Sequence, residues 1–320
     1  MDVMLDVLTG FLVVVVLIVV GFTVGRMRVL GPGAVHTLTL FVFSVATPAL
    51  LVDVLAHADL GQVFGVNLAV AVAGSLLVGA LAFAGQRLLA RRPVPDSLVT
   101  MLAASYCNGS NLGVPIAAHV LGNPAAVLPV IIFQVAVYGP LVVLALDLAT
   151  RRTSPDRTSS LVRELLSGIV RNPLIIAAVV GVAVALLHDR TGFTLPQVVA
   201  EPVSLLAGAA VPVALLAFGM SMADVTVLDR ATSPRRSVLA AAVLKSVVHP
   251  VVAAALGAFV FGLSGPALLT VTVVGALPTA QNVFTYAHRF RVGTVLARDT
   301  GVVSTGLSLV SIAVVAALLG

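Results

Sequence analysis

The chain has 320 residues, of which 59% are hydrophobic and only 10% charged, against roughly 25% charged in an ordinary soluble domain. Mean hydropathy is +1.14, and 18 basic and 13 acidic residues cannot cover the surface of a soluble globule this size. The composition excludes a water-soluble enzyme, a nucleic-acid module and a disordered tail, each of which needs a polar exterior or a basic aqueous face. Cys107 is the single cysteine, so no internal disulfide and no cysteine metal cluster is expected, and no cofactor or metal site is implied.

Read in chain order, the apolar text breaks at charges and Pro/Gly clusters into ten segments. They lie near 7–25, 37–56, 64–89, 97–120, 126–149, 171–188, 199–223, 237–261, 266–287 and 297–319. Each is close to the ~20 residues that a helix needs to cross the hydrocarbon layer. The first follows Asp2 and Asp6 rather than a basic stretch, so it reads as a spanning helix and not a signal peptide. Residues 11–20 and 177–187 are continuously apolar, whereas strands of a barrel would alternate. The expectation is an all-α polytopic membrane protein with ten transmembrane helices.

Positive charge fixes the orientation. With the N-terminus outside, the inner loops hold Arg26 and Arg28, then Arg87, Arg91 and Arg92. Next come Arg151, Arg152, Arg157 and Arg163, then Arg230, Arg235 and Arg236, and finally Arg289 and Arg291. The outer loops hold only Arg190, as the positive-inside rule requires. Both termini are therefore expected outside a cell membrane. The longest connection, 151–170, is an expected cytoplasmic loop that separates spans 1–5 (1–150) from spans 6–10 (171–320).

The two halves share a proline register. Pro48 and Pro115 are 67 residues apart, Pro212 and Pro278 are 66 apart, and the offset between halves is 164 for one pair and 163 for the other. Five spans is an odd number, so the second half enters from the opposite side, giving two inverted five-helix repeats of the kind found in secondary transporters. Span 4 carries Asn108, Asn111 and Pro115 among glycines; span 9 carries Pro278, Gln281 and Asn282. Prolines and glycines break a helix, and backbone opened at this depth is tolerated only beside protein or an aqueous cavity. Half-helix N-termini there favour an anion.

Lys245 is the one lysine. It lies nine residues beyond Arg236, about 13 Å deeper at 1.5 Å per residue, which makes it a candidate for proton or charge coupling, with His249 one turn on. A snorkelling lysine is the plainer reading. Asp53, His57, Asp59, Asp224 and Asp229 read as solvated helix ends. Gly21 and Gly25 permit close helix packing or a homodimer.

Four stretches resemble the auxin efflux carrier family: Asn108-Gly-Ser-Asn-Leu-Gly-Val-Pro115, Asn172-Pro-Leu-Ile-Ile176, Lys245-Ser-Val-Val-His-Pro250 and Leu277-Pro-Thr-Ala-Gln-Asn-Val-Phe284. Bacterial members of that family include permeases for small carboxylates such as malate and malonate. The resemblance implies a scaffold domain from spans 1, 2, 6 and 7, through which a homodimer would form. It also implies a transport domain from spans 3–5 and 8–10, with broken helices 4 and 9 crossing at Pro115 and Pro278. It further implies substrate contacts at Gln134 and Tyr138 in span 5 and an acidic position at Asp147. The expected function is alternating-access transport of a small organic anion across the lipid bilayer, secondary active or potential-driven. The alternatives are a non-transporting sensor, a sodium-coupled symporter of the bile-acid type, or an intramembrane enzyme, for which the closest pair, Ser110 and His119, lies about 13 Å apart along a helix, too far to hydrogen-bond.

Overall fold

The computed structural model describes residues 2–56, 65–150, 167, 170–223 and 227–320. His57, Asp59 and Asp224 lie outside these residues, as does the expected loop 151–170 except at 167 and 170. The described residues are all-helical apart from turns and one isolated two-residue bridge. The helices are α1 (Asp2–Met27), α2 (Ala34–Leu55), α3 (Val66–Leu89), α4 (Val94–Ser105), α5 (Val114–Val120) and α6 (Pro124–Thr150). They continue as α7 (Pro173–Thr191), α8 (Gln197–Ser221), α9 (Arg235–Val260), α10 (Gly265–Ala276), α11 (Gln281–Phe290) and α12 (Thr294–Leu319).

Among the described residues, seven helical stretches are long and apolar enough to cross a membrane: α2, α3, α6, α7, α8, α9 and α12. Val15–Met27 of α1 and all of α10 are shorter apolar helices. Large apolar side chains point outward on these helices, such as Val179 at 63%, Leu205 at 78% and Phe259 at 89% exposure. Water would not tolerate such apolar surface on a monomer. A bilayer does, and the chain is a multi-pass membrane protein.

Several helices carry widened turns, and four of these turns end two residues before a proline. The pairs are 42–46 with Pro48, 109–113 with Pro115, 134–138 with Pro140, and 244–248 with Pro250. In three of them the N–H just before the proline reaches five residues back: Thr47 to Val42, Gly139 to Gln134, and His249 to Leu244. Proline lacks a donor and its ring presses on the carbonyl four residues earlier. The extra residue in the turn takes up that mismatch without ending the helix.

The chain divides into two compact units. The first comprises residues 1–65, 110–129 and 168–225. Here α1 lies so close to α8 that a side chain on Gly21 would strike the Leu216 carbonyl, and one on Gly219 would strike that of Ile18. Gly25 meets Met220 in the same way. The small-residue pattern of α1 is therefore used inside the chain. Leu55 of α2 packs on Gly181 of α7.

The second unit comprises 66–109, 130–167 and 226–320. Its core joins Leu102 of α4, Leu146 of α6, Val238 and Ala241 of α9, Val283 and Ala287 of α11, and Tyr106. The stretch ahead of α9 is tied to it by Asp299, which is wholly buried on α12. That carboxylate accepts from the Leu228 N–H at 3.1 Å and pairs with Arg298 at 2.8 Å. Leu228, in the left-handed region at φ 56°, gives its carbonyl to Arg235. Next to it, half-buried Asp229 accepts from the N–H groups of Ala231 and Thr232 and the Thr232 hydroxyl. These bonds hold its carboxyl below the usual carboxylate range.

The α1–α8 contact makes a direct prediction. Gly219→Leu forces helices apart and should lower the melting temperature in detergent, by about 1–3 kcal/mol of stability or more. Gly208→Ala on the same helix, where the added carbon meets open space, should leave it unchanged.

Candidate functional site

Two helices of the second unit stop inside the apolar text. α4 ends at Ser105, and Tyr106 is extended (φ −85°, ψ 110°). α10 ends at Ala276, Leu277 is extended, and α11 begins again at Gln281. At the two breaks Cys107 and Thr279 face each other as an antiparallel pair. The Asn108 N–H donates to the Pro278 carbonyl at 2.7 Å, and the Ala280 N–H donates to the Tyr106 carbonyl at 3.0 Å. The rule that buried backbone groups must be paired is met by a two-residue scrap of sheet.

Side chains satisfy the groups that remain. The Gln134 amide, turned as its neighbours require, accepts from the Cys107 N–H at 2.7 Å and donates to the Cys107 carbonyl at 2.9 Å. Ser304 Oγ accepts from the Thr279 N–H at 3.1 Å, and Thr279 Oγ1 donates to the Ala103 carbonyl at 2.6 Å. At the C-terminal end of α10, Lys245 Nζ donates to the Gly275 carbonyl at 2.9 Å and lies 3.0 Å from His249 Nδ1. A cation is favourable against the carbonyl end of a helix. It reaches there because Gly275 lets α10 approach the Pro250 backbone of α9.

Lys245 is 0% exposed and His249 2%, so Lys245 does not snorkel to a surface. Both Lys245 and Gln134 sit in widened turns, which swing them off the regular helical face; such turns frequently occur at functional sites. Beside Gln134, the Tyr138 hydroxyl and Ser105 Oγ are 2.7 Å apart. Tyr106 stacks on Tyr138 and meets Tyr286 edge-on, and its hydroxyl donates to the Gln134 backbone carbonyl at 3.2 Å.

The second unit therefore gathers Asn108, Gln134, Tyr138, Pro278, Gln281, Asn282, Lys245 and His249 around one crossing. Gln281 and Asn282 open α11 and are exposed; in that first turn the Val283 N–H donates to the Ala280 carbonyl at 3.2 Å. Asp147 lies 13 residues after Gln134 on α6, about 20 Å along the helix, and is half-buried. Asn111 and Pro115 fall in the first unit. Asn111 is half-buried in the 109–113 turn, and Pro115 is the second residue of α5.

On the span-4 side the backbone pairs at 106–108, well before Pro115. Pro115 is the second residue of α5, a position where a helical N–H is not needed, so no break occurs there. His119 Nδ1 is bonded to the Pro115 carbonyl at 3.0 Å, the contact of a packing histidine. Of the groups that serve this pair, Thr279 falls within the Leu277–Phe284 stretch, whereas Ser304 and Asp299 show in the sequence only as a hydroxyl and a carboxylate in an apolar run.

The profile of the family described as "Membrane transport protein" matches residues 6–316. The chain belongs to the auxin efflux carrier family. A protein of Rhizobium meliloti (strain 1021) described as "Putative malonate transporter" is 29% identical over 302 residues, covering 92% of this chain and 90% of the relative. For this family member the hydroxyl bridge at the crossing gives a test. Thr279→Val leaves the Ala103 carbonyl unpaired and should cost about 1–3 kcal/mol, read as a lower melting temperature; Thr279→Ser should restore most of it.

Proposed function

We propose that this auxin efflux carrier family member moves a small organic anion across the cell membrane by alternating access. The proposed frame is ten spans in two inverted five-helix repeats with both termini outside. The proline register, the charge asymmetry of the loops and the pair of broken helices support it. The proposed scaffold is spans 1, 2, 6 and 7, and the proposed moving domain is spans 3–5 and 8–10. The division into two units supports this split, with 110–129 grouping with the first.

The proposed substrate site is the crossing. Gln281 and Asn282 present carboxamides at the start of α11, where a helix N-terminus favours a carboxylate. Asn108 and Pro278 form its floor, and Tyr138 backs it from α6. Asn111 and Pro115 continue the same stretch of chain. Lys245, with His249, supplies the buried positive charge that balances the anion or carries a coupled proton, and Asp147 is the acidic group on the same path. No nucleotide-binding loop occurs in the sequence, which favours a potential or proton gradient as the driving force. Malonate is the substrate to try first, because a relative aligned over nearly the whole chain is named for it.

The observation that carries this reading is the wholly buried Lys245 against the carbonyl end of a broken helix. Purified protein in proteoliposomes should take up radiolabelled malonate or a similar small carboxylate. Lys245→Gln should lower that uptake by about tenfold or more, ~1.4 kcal/mol, or abolish its pH dependence, with expression unchanged. Uptake and pH profile equal to wild type in Lys245→Gln would sink the coupling role. Carboxylate binding with no flux would favour a sensor.

A further inference from the structure

We infer that Gln134 is a positioning residue: its side-chain amide stands in for a third strand and locks the broken backbone of span 4 through Cys107. An isolated pair of two extended residues closes the crossing on one side only. Cys107, between the two inter-helix bonds, has its own N–H and C=O directed away from Thr279, as in any non-hydrogen-bonded antiparallel pair. In hydrocarbon there is no water to turn to: the carbonyl is met by the Gly109 N–H at 2.9 Å, and the N–H is left to a side chain. A carboxamide carries an acceptor and a donor spaced to match a peptide unit. Gln134 provides both, at 2.7 and 2.9 Å, while being 2% exposed. Its own backbone carbonyl takes the Tyr106 hydroxyl, and one turn on Tyr138 takes Ser105. Span 5 thus holds three successive residues, 105, 106 and 107. Both polar atoms of the amide are engaged by backbone, so the side chain acts on substrate through the shape of the crossing and not by touching it.

The assignment rests on the reading of the crossing as the transport site only for its effect on flux; its effect on the crossing itself is measured separately. Cys107 is the single cysteine and is 2% exposed, which makes it a native reporter. The full chain in lipid nanodiscs is treated with methyl methanethiosulfonate and the rate of mass gain is followed. Gln134→Leu keeps the volume and loses both bonds. It should speed labelling of Cys107 about tenfold or more over wild type, with the protein still monodisperse and helical. Gln134→Met keeps the length, loses both acceptor and donor and should speed labelling as well. Leu146→Ala, a cavity elsewhere on α6 at a 0% exposed position, should lower the melting temperature without raising labelling, which separates a local lock from general stability.

Labelling unchanged in both Gln134 variants, with KM for malonate raised, would overturn the inference and make Gln134 a substrate contact. Should neither variant fold, hydrogen exchange on wild type decides. A Cys107 amide that exchanges slowly upholds the bond to Gln134, and one that exchanges like an open loop overturns it. Faster labelling with no flux in wild type upholds the lock and rejects the transport reading instead.

Discussion

A peptide group without a hydrogen-bond partner in hydrocarbon costs several kcal/mol, and two helices of this protein, α4 and α10, stop within apolar sequence. The bonds between Asn108 N–H and the Pro278 carbonyl, and between Ala280 N–H and the Tyr106 carbonyl, are what make those breaks affordable. Most of the polar residues of the second unit follow from them. Thr279, Ser304 and Gln134 are placed to satisfy what the pair leaves over, and Lys245 caps the carbonyl end of α10 just before the break. Small residues follow too, since Gly275 lets α10 close on α9.

The same constraint separates two uses of proline. Pro48, Pro115, Pro140 and Pro250 come directly after widened turns and leave their helices continuous through the kink. Pro278 instead lies in the extended break and contributes its carbonyl to the crossing. Proline removes a donor and keeps its acceptor, so a position that must accept from another span and needs no helical N–H suits it. The widened turns also turn Gln134 and Lys245 toward the crossing, linking the helix distortions to the side chains that serve it.

Much of this was legible beforehand. Long apolar runs specify helices because their period and length leave no alternative in a bilayer, and Pro278, Gln281 and Asn282 lie where α10 ends and α11 begins. Pro115 misled about the other break. A sequence shows where helical bonding is weakened but not whether a widened turn repairs it, and the true break at 106–108 contains no proline. Its cause is non-local: the partner carbonyl at Pro278 and the amide at Gln134. Lys245 was visible as an anomaly of depth and charge, whereas its bond to Gly275 depends on a helix approach that only packing reveals. Ser304 and Asp299 gave no signal, because one hydroxyl or carboxylate in a span looks alike whether it pairs or faces water.

The crossing itself is the central claim, and the lone cysteine allows it to be tested covalently. Facing residues of a non-hydrogen-bonded antiparallel pair have Cα atoms about 4.5 Å apart, within the range that a disulfide bridges. Thr279→Cys in membranes, oxidised with copper phenanthroline, should join to Cys107 within one chain, with loss of both free thiols and two mass units. Two thiols that remain free after oxidation, in protein that is folded and monodisperse, would contradict the account.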